Sequence, residues 1–295
     1  MPTNNVYQEE QIPTQLSRSW HAFRSNTPAM FGFWCLCALL FTTIFAPWLA
    51  PYDPQHQTGV LLIPPSWDST GRVEFFLGTD DLTRDVLSRL ILGSRLTFGY
   101  AIVIAFSSAV VGSLIGVLAG MTRGLVSSVL NHVLDTVLSI PTILLAIIVV
   151  AFFGPGETTI LLAVWLALIP RFIRAVYTAV HREVEKDYIV AARLDGANSA
   201  YLLYHSILPN ILTVLSTEST RALSVAILDI AALGFLSLGA QPPSPEWGAM
   251  LRDSLELIYN APWTVTLPGL TIMFSVLVVN LVGGGITQAI NAGTE

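Results

Sequence analysis

Six long runs of apolar residues, separated by shorter polar segments, divide the chain. Each run reaches the length of about 20 residues that a helix needs to cross the hydrocarbon core of a bilayer. The runs lack the alternation of apolar and polar residues expected of membrane-barrel strands. Since each segment must satisfy its own backbone hydrogen bonds in lipid, the pattern predicts an all-α, polytopic membrane protein with six transmembrane helices. The predicted spans are residues 29–49, 97–120, 133–153, 158–178, 208–238 and 263–290.

The longer of two large polar segments, residues 51–96, begins as a proline-rich loop and then takes on a helical pattern. Asp80 and Asp81 suit the first turn of a helix, where acidic side chains are favoured. Asp85 and Arg89 stand four residues apart and predict an ion pair on that helix. We expect the helix to lie along the membrane surface; packing against the protein's own loops is an equally supported alternative.

The second large polar segment, residues 181–209, predicts an amphipathic helix followed by a turn and another helix. Val184, Tyr188, Ala191 and Ala192 recur at helical spacing and predict a narrow apolar stripe. Charged residues cover the other side of this helix. Such a unit fits a groove on a partner protein, and a plain solvated loop is the alternative interpretation.

Small residues shape the turn in this segment. Gly196 follows Asp195 and takes the left-handed conformation that ends a helix at no steric cost. Ala191 and Ala192 allow another backbone to approach closely. The second helix is predicted to stop near Pro209, because proline cannot donate a backbone hydrogen bond.

The composition excludes several classes of protein. Only 12% of the 295 residues are charged and 53% are hydrophobic, whereas a soluble domain carries about 25% charged residues. The formal net charge is −6, and no basic patch is available to neutralise a phosphate backbone. A soluble enzyme, a disordered linker protein and a nucleic-acid binder are therefore excluded.

No motif for covalent chemistry occurs in the sequence. A Walker A loop ends in Gly-Lys, and the only lysine, Lys186, follows Glu185. Two neighbouring cysteines and five scattered histidines give no zinc pattern. We therefore predict no catalytic residue, no metal site and no bound cofactor, with any ATP and Mg²⁺ held by other chains. An intramembrane protease is not supported, because the motifs around its Ser–His or Asp–Asp pair are missing.

The basic residues favour one orientation of the six spans. With the N-terminus inside, eight basic residues fall in the inner segments and five in the outer ones. We predict that residues 1–28 form a cytoplasmic tail and residues 291–295 a cytoplasmic end. Residues 29–96 hold the first span and the outer segment, and residues 97–290 hold a five-span core with the loop 181–209. The outer segments carry ten acids, which would weakly favour cationic solutes because exposed charges are screened.

The second polar segment resembles a motif of a known family. The run 187–197, DYIVAARLDGA, followed by the run 207–210, ILPN, resembles the EAA loop of ABC-importer permeases. In that family this loop is the coupling helix that docks onto the ATPase subunit. Val190 stands where the family usually has Glu. The resemblance implies a docking role for Tyr188, Ala191, Ala192, Asp195, Gly196, Ala197, Leu208 and Pro209.

Further runs resemble the C-type subunits of the dipeptide and oligopeptide permeases, although Thr83, Gly284 and Thr287 depart from the usual pattern. Three of these runs look closest to the Sap group, which is associated with resistance to antimicrobial peptides. The runs that resemble the C-type subunits in general are residues 77–81, 84–90, 241–251 and 280–283. The three runs closest to the Sap group are residues 131–135, 146–152 and 229–236. The residues that the resemblance places in the outer segments are Asp80, Asp81, Arg84, Asp85, Arg89, Gln241, Pro242 and Trp247.

The resemblance implies a type I ABC-importer permease fold with six transmembrane helices and cytoplasmic coupling helices. It also implies a heterodimer with a homologous permease, two cytoplasmic ATPase subunits and a periplasmic peptide-binding protein at a bacterial inner membrane. The implied function is ATP-coupled import of peptides, cationic or antimicrobial peptides included. A secondary transporter of a cationic solute, driven by an ion gradient, is the alternative; an inverted repeat would favour it, and none is visible.

Three ionisable side chains fall inside the fifth predicted span. A charged group in lipid costs about 3 kcal/mol or more, so such groups face protein or water. Glu218 and Arg221 stand three residues apart and predict a pair. Asp229 has no basic neighbour at helical spacing, and we predict that it faces a translocation path or the interface with a partner permease.

Overall fold

The computed structural model describes residues 14–57, 59–122 and 125–294, and within these ranges the chain forms helices and loops without a strand. Residues 1–13 of the predicted tail, and Arg123 in the predicted inner segments, lie outside the described residues. The helices are α1 (Gln15–Ser25), α2 (Thr27–Leu49), α3 (Val86–Ser94), α4 (Tyr100–Gly120), α5 (Leu125–Leu138), α6 (Thr142–Phe153), α7 (Glu157–Val184), α8 (Asp187–Leu194), α9 (Ser199–Leu202), α10 (Leu208–Phe235), α11 (Trp247–Asp253) and α12 (Trp263–Thr294).

Two pairs of these helices are continuous. A π-helical turn at Arg95–Gly99 joins α3 to α4, and another at Leu203–Ile207 joins α9 to α10. The joined helices run over Val86–Gly120 and Ser199–Phe235. The prediction that a helix stops near Pro209 is therefore wrong. Pro209 lies in the first turn of α10, directly after the π turn, where the missing N–H donor is tolerated.

Five helical segments of the described chain are long and apolar enough to cross a membrane: α2, α3–α4, α7, α9–α10 and α12. The prediction of one helix over residues 133–153 is wrong, because α5 and α6 meet at an angle of 85°. Pro141 stands at the N-cap of α6 and disfavours a helical conformation for the residue before it. Counting the bent pair as one span brings the total to six.

The spans run alternately between two ends of the bundle. We call the end with residues 50–85 and 236–262 the cap end, and the end with residues 185–198 the coupling end. Asn26, just before α2, donates a hydrogen bond of 2.7 Å to Gln288 of α12. The first and last of the described helices therefore meet at the coupling end.

Glycines let α4 pack directly against α7. Gly112, Gly116 and Gly120 recur every four residues along the buried side of α4. A Cβ atom added at Gly116 would lie 2.8 Å from the Cβ of Val176, and one added at Gly120 would lie 2.8 Å from the Cβ of Val180. Small residues at helix interfaces allow this close approach inside a membrane, where packing rather than the hydrophobic effect holds helices together.

Replacing Gly116 with valine should separate α4 from α7 and lower the stability of the bundle by about 1–3 kcal/mol, the usual cost of overpacking. The thermal unfolding midpoint of the purified protein in detergent measures this effect. Gly284→Val is the matched control, because Gly284 is also helical but has open space where a Cβ would stand. Equal midpoints for the two variants would contradict the packing described.

Candidate functional site

The coupling segment, residues 185–198, is a short helix held beside the ends of two long ones. Gly196 adopts a φ of +91° and ends α8 in the left-handed conformation that the sequence predicts. Ile189 is fully buried on the inner side of α8. It joins an apolar cluster that includes Val180 of α7 and Leu202 of α9. This single aliphatic side chain therefore anchors α8 to the bundle.

The predicted apolar stripe is only partly correct. Val184 is buried but belongs to α7, whereas Tyr188 and Ala191 are exposed and Ala192 is half-buried. The buried residue of α8 is Ile189 instead. The chain breaks between α7 and α8, so the stripe, which assumes one continuous helix, selects the wrong side of α8.

The outer side of α8 carries exposed apolar residues. Leu194 is 85% exposed and Val190 is 42% exposed. Tyr201 and Tyr204, which follow in the chain, are also exposed. Exposed apolar residues grouped on one side of a short helix make this side a candidate contact surface. Beside it lies a depression of about 510 Å³ lined by Ala192, Asp195, Gly196, Ala197, Asn198 and Tyr201.

Three polar side chains, which we call the coupling brace, tie α8 to both long helices: Glu183 of α7, Tyr188 of α8 and Asn210 of α10. The Tyr188 hydroxyl donates to the Glu183 carboxylate and accepts a hydrogen bond of 2.9 Å from the Asn210 amide. Lys186 adds an ion pair of 2.8 Å to Glu183, which is itself buried. Burial and the bond to Glu183 raise the pKa of Tyr188 to about 12, so the phenol stays protonated and able to donate.

The predicted docking residues thus have two kinds of environment. One group packs inward: Ala192, Ala197 and Leu208 lie against the buried cluster around Ile189, and Tyr188 belongs to the brace. The other group, Ala191, Asp195, Gly196 and Pro209, is exposed. Neither Glu183 nor Ile189 was predicted, although Ile189 lies within the quoted motif.

A buried ionic cluster fixes the start of α3 at the cap end. The Asp80 carboxylate accepts a hydrogen bond of 2.7 Å from Arg84 Nε and lies 3.7 Å from Arg89 Nε. All three side chains are buried. The neighbouring Asp81 is half-buried, and burial raises the pKa of its carboxyl.

The predicted pair between Asp85 and Arg89 is wrong, and so is a helix start at Asp80. Asp85 is the N-cap of α3, and one of its oxygens accepts hydrogen bonds from the backbone N–H and the hydroxyl of Ser88 at 2.8 and 2.6 Å. Arg89 is buried and turns to Asp80 instead. Because α3 continues into α4 inside the bundle, the alternative of packing on the protein's own loops is correct, rather than a helix lying along the membrane surface.

Glu246 joins three elements beneath the cap and was not predicted as a site residue. Its buried carboxylate caps α11 by accepting hydrogen bonds from the backbone of Gly248 and Ala249 at 2.9 and 2.8 Å. It also accepts one of 2.8 Å from Thr97 in the π turn after α3. A Cβ added at Gly234 of α10 would lie 1.9 Å from the carboxylate. Burial raises the pKa of Glu246, and these hydrogen bonds oppose that shift.

The remaining predicted cap residues divide between this core and the surface. Trp247 is buried, and its indole N–H donates a hydrogen bond of 3.0 Å to the Leu90 carbonyl. Gln241 and Pro242 are exposed, and the Gln241 amide bonds only to nearby backbone carbonyls. Of the ten acidic residues counted in the predicted outer segments, Asp80, Asp85 and Glu246 are buried. Fewer carboxylates are therefore exposed at the cap end than the sequence suggests.

The charged residues of α10 lie in two different places. Glu218 and Arg221 are in contact, with 3.9 Å between Oε1 and Nη1, as the sequence predicts. Asp229 is 7% exposed and interacts with the Thr142 side chain at the start of α6. One of its carboxylate oxygens has no hydrogen-bond partner among the described residues. Its predicted place on a path or a subunit interface stays a prediction.

The described chain is a helical membrane bundle with a short helix presented at one end, which is the polytopic all-α class that the sequence predicts. The described residues contain no cluster of His, Cys, Asp or Glu able to hold a metal. The fold matches that of the inward-facing methionine ABC transporter MetNI, with a TM-score of 0.52, 20% sequence identity, and coverage of 66% of this chain and 94% of that chain. The likeness shows the fold.

The sequence comparisons identify the family. The model of the binding-protein-dependent transport system inner membrane component matches residues 112–295, and that of the N-terminal TM domain of oligopeptide transport permease C matches residues 14–65. The chain therefore belongs to the family of binding-protein-dependent transport system inner membrane components. It is a multi-pass inner-membrane permease subunit and not an enzyme.

Individual relatives extend over the whole chain. The peptide transport system permease protein SapC of Salmonella typhimurium is 58% identical over 296 residues, which is 100% of both chains. The SapC protein of Haemophilus influenzae is 46% identical over 99% of both chains. The dipeptide transport system permease protein DppC of Escherichia coli K12 is 43% identical over 98% of this chain and 97% of that one. The predicted resemblance and fold class are confirmed, and the secondary-transporter alternative is not supported.

Replacing Tyr188 with phenylalanine removes two hydrogen bonds of the coupling brace. We expect α8 to loosen by about 1–3 kcal/mol, because the buried Glu183 carboxylate loses the hydrogen bond from the phenol. Amide hydrogen exchange in residues 187–194 should accelerate about tenfold or more. Tyr204→Phe is the control, because Tyr204 is also exposed but does not belong to the coupling brace. Unchanged exchange in Tyr188→Phe would contradict the role given to the brace.

The thermal midpoint should depend on pH through Glu246. Its raised pKa means that the folded chain binds this proton more tightly than the unfolded chain. The contribution of Glu246 to the free energy of unfolding therefore falls as the pH rises above the ordinary pKa of a glutamate. As the pH rises above 4.5, the ordinary pKa of a glutamate, we expect the midpoint to fall more steeply in the wild type than in Glu246→Gln, which does not titrate. Parallel curves would show that the buried carboxyl has an ordinary pKa.

Proposed function

We propose that this chain is one of two permease subunits of an ABC importer that carries peptides across the bacterial inner membrane. The exposed surface of α8 is the observation on which this proposal depends, because it offers an apolar contact to a chain that can supply energy. Relatives named as peptide and dipeptide permeases over nearly their whole length support a peptide as the substrate. Cationic or antimicrobial peptides form the narrower class that the Sap group suggests.

The coupling end faces the cytoplasm in this proposal. Lys186, Arg182 and Arg193 cluster there, in agreement with the excess of basic residues in cytoplasmic segments. The first and last helices of the described chain share that side, since α1 and the end of α12 meet at the coupling end. The cap then faces the periplasm, where a peptide-binding protein would deliver its cargo.

Two ATPase subunits bind the outer side of α8 and its counterpart on a second, homologous permease. They hold ATP and Mg²⁺, and this chain binds no cofactor. When the ATPases close, they displace α8 as a rigid body. The coupling brace transmits the displacement to α7 and α10, because Tyr188 bonds to both helices.

The docking contact of this chain differs chemically from the family pattern. The usual glutamate is replaced by Val190, which is 42% exposed. Together with Leu194 it offers aliphatic surface to the ATPase. The contact therefore depends on apolar burial at these positions and does not involve a carboxylate.

A thiol at position 194 tests the docking directly. After replacement of the free cysteines Cys35 and Cys37, Leu194→Cys should crosslink to an ATPase subunit when membranes with the assembled transporter are treated with a short bifunctional reagent. Leu61→Cys is the control, because Leu61 is 64% exposed but lies in the cap. Crosslinking at position 61 but not at position 194 would contradict the proposal.

A further inference from the structure

A cavity lined with arginines opens between the bent pair α5–α6 and the helices α7 and α10. Its volume is about 660 Å³, within the size range of small-molecule sites. Pro141, at the corner between α5 and α6, forms part of the wall. The charged residues of the lining are Arg171, Arg174, Arg182, Arg221 and a single acid, Glu218.

The positive charge of this cavity is only partly compensated within the described chain. Arg174 bonds to Asn131 and forms an ion pair of 3.2 Å with Asp135. Arg221 has the distant contact with Glu218. No ion pair of the described residues involves Arg171 or Arg182. The cavity thus holds more guanidinium groups than carboxylates, which favours an anionic ligand.

Two of the arginines lie at the same depth. Arg171 is fourteen residues from the cap-end start of α7, and Arg221 is fourteen residues from the cap-end terminus of α10. At a rise of 1.5 Å per residue, both lie about 21 Å from the cap ends of their helices, which is the middle of these 28-residue helices. The middle of a helix centred on the bilayer lies within the hydrocarbon core of about 30 Å. A guanidinium in contact with lipid at that depth would be costly. Arg171 therefore requires water or an anion beside it, and Arg221 has only the 3.9 Å contact with Glu218.

We propose that this cavity binds the carboxylate of a peptide in transit, with Arg171 and Arg221 as its ligands; this rests on the peptide function proposed above. A guanidinium matches a carboxylate with two parallel hydrogen bonds. The remaining lining is largely apolar, including Ile140, Val214 and Ala175, and suits uncharged side chains. An inner-leaflet phosphate would have to leave its interface to reach the level of Arg171, so the peptide carboxylate is the favoured occupant.

Paired peptides test this site in proteoliposomes that contain the complete transporter and its binding protein. One peptide carries a free C-terminal carboxylate and the other a C-terminal amide. We expect the wild type to take up the free acid faster. Arg171→Gln and Arg221→Gln should lower the ratio of the two uptake rates about tenfold, and Arg171→Lys should restore part of it. Arg72→Gln, on an exposed residue of the cap, should leave the ratio unchanged.

Four results would overturn the carboxylate site. The ratio could be the same in the wild type and the Arg171 and Arg221 variants. Those variants could fail to co-purify with the second permease, which would place the arginines in the subunit interface. The effect could appear only in vesicles with anionic phospholipid, which would identify a lipid headgroup as the ligand. ATP-dependent uptake of neither peptide by the wild type would refute the peptide function itself, whereas uptake of both at an unaltered ratio would refute only the site.

Discussion

Three side chains and one buried isoleucine join the short helix α8 to the membrane bundle, and in the proposed function this joint carries the motion of the ATPases to the spans. Tyr188 bonds to Glu183 of α7 and to Asn210 of α10, while Ile189 fills the apolar cluster beneath them. A helix of eight residues is too short to be stable alone in water. Its position is therefore set by these contacts, and a force on its outer side reaches both long helices.

At the cap end, a few buried charged side chains hold several elements of the chain together. Asp80 is shared by two buried arginines, and Glu246 accepts hydrogen bonds from two separate elements. Removing one partner of such a buried pair is strongly destabilising, because it leaves an uncompensated charge. These contacts hold the long loops of the cap against α3 and α11. The arginine-lined cavity between α5–α6, α7 and α10 is only partly compensated within the described chain, which is why a ligand is expected there and not in the cap.

The sequence predicted the features that depend on local pattern. The approximate places of five of the six predicted spans and the left-handed turn at Gly196 follow from hydropathy, length and steric freedom. The break at Pro141 did not follow, since a proline inside an apolar run is compatible with a kinked span as well as with two helices. Arg89 has Asp85 at ideal spacing on its own helix, yet it pairs with Asp80, because Asp85 is already used as the N-cap. The bond between Thr97 and Glu246 joins residues far apart in the chain, and no local pattern could indicate it.

In the proposed function, ATPase subunits move this permease by acting on α8. Uptake of a labelled peptide into proteoliposomes tests it most directly, with the chain reconstituted either alone or with its companion permease, ATPases and binding protein. Uptake should require the complete assembly and ATP, and an imposed proton gradient should not replace them. Accumulation of peptide by this chain alone, driven by the gradient, would contradict the claim.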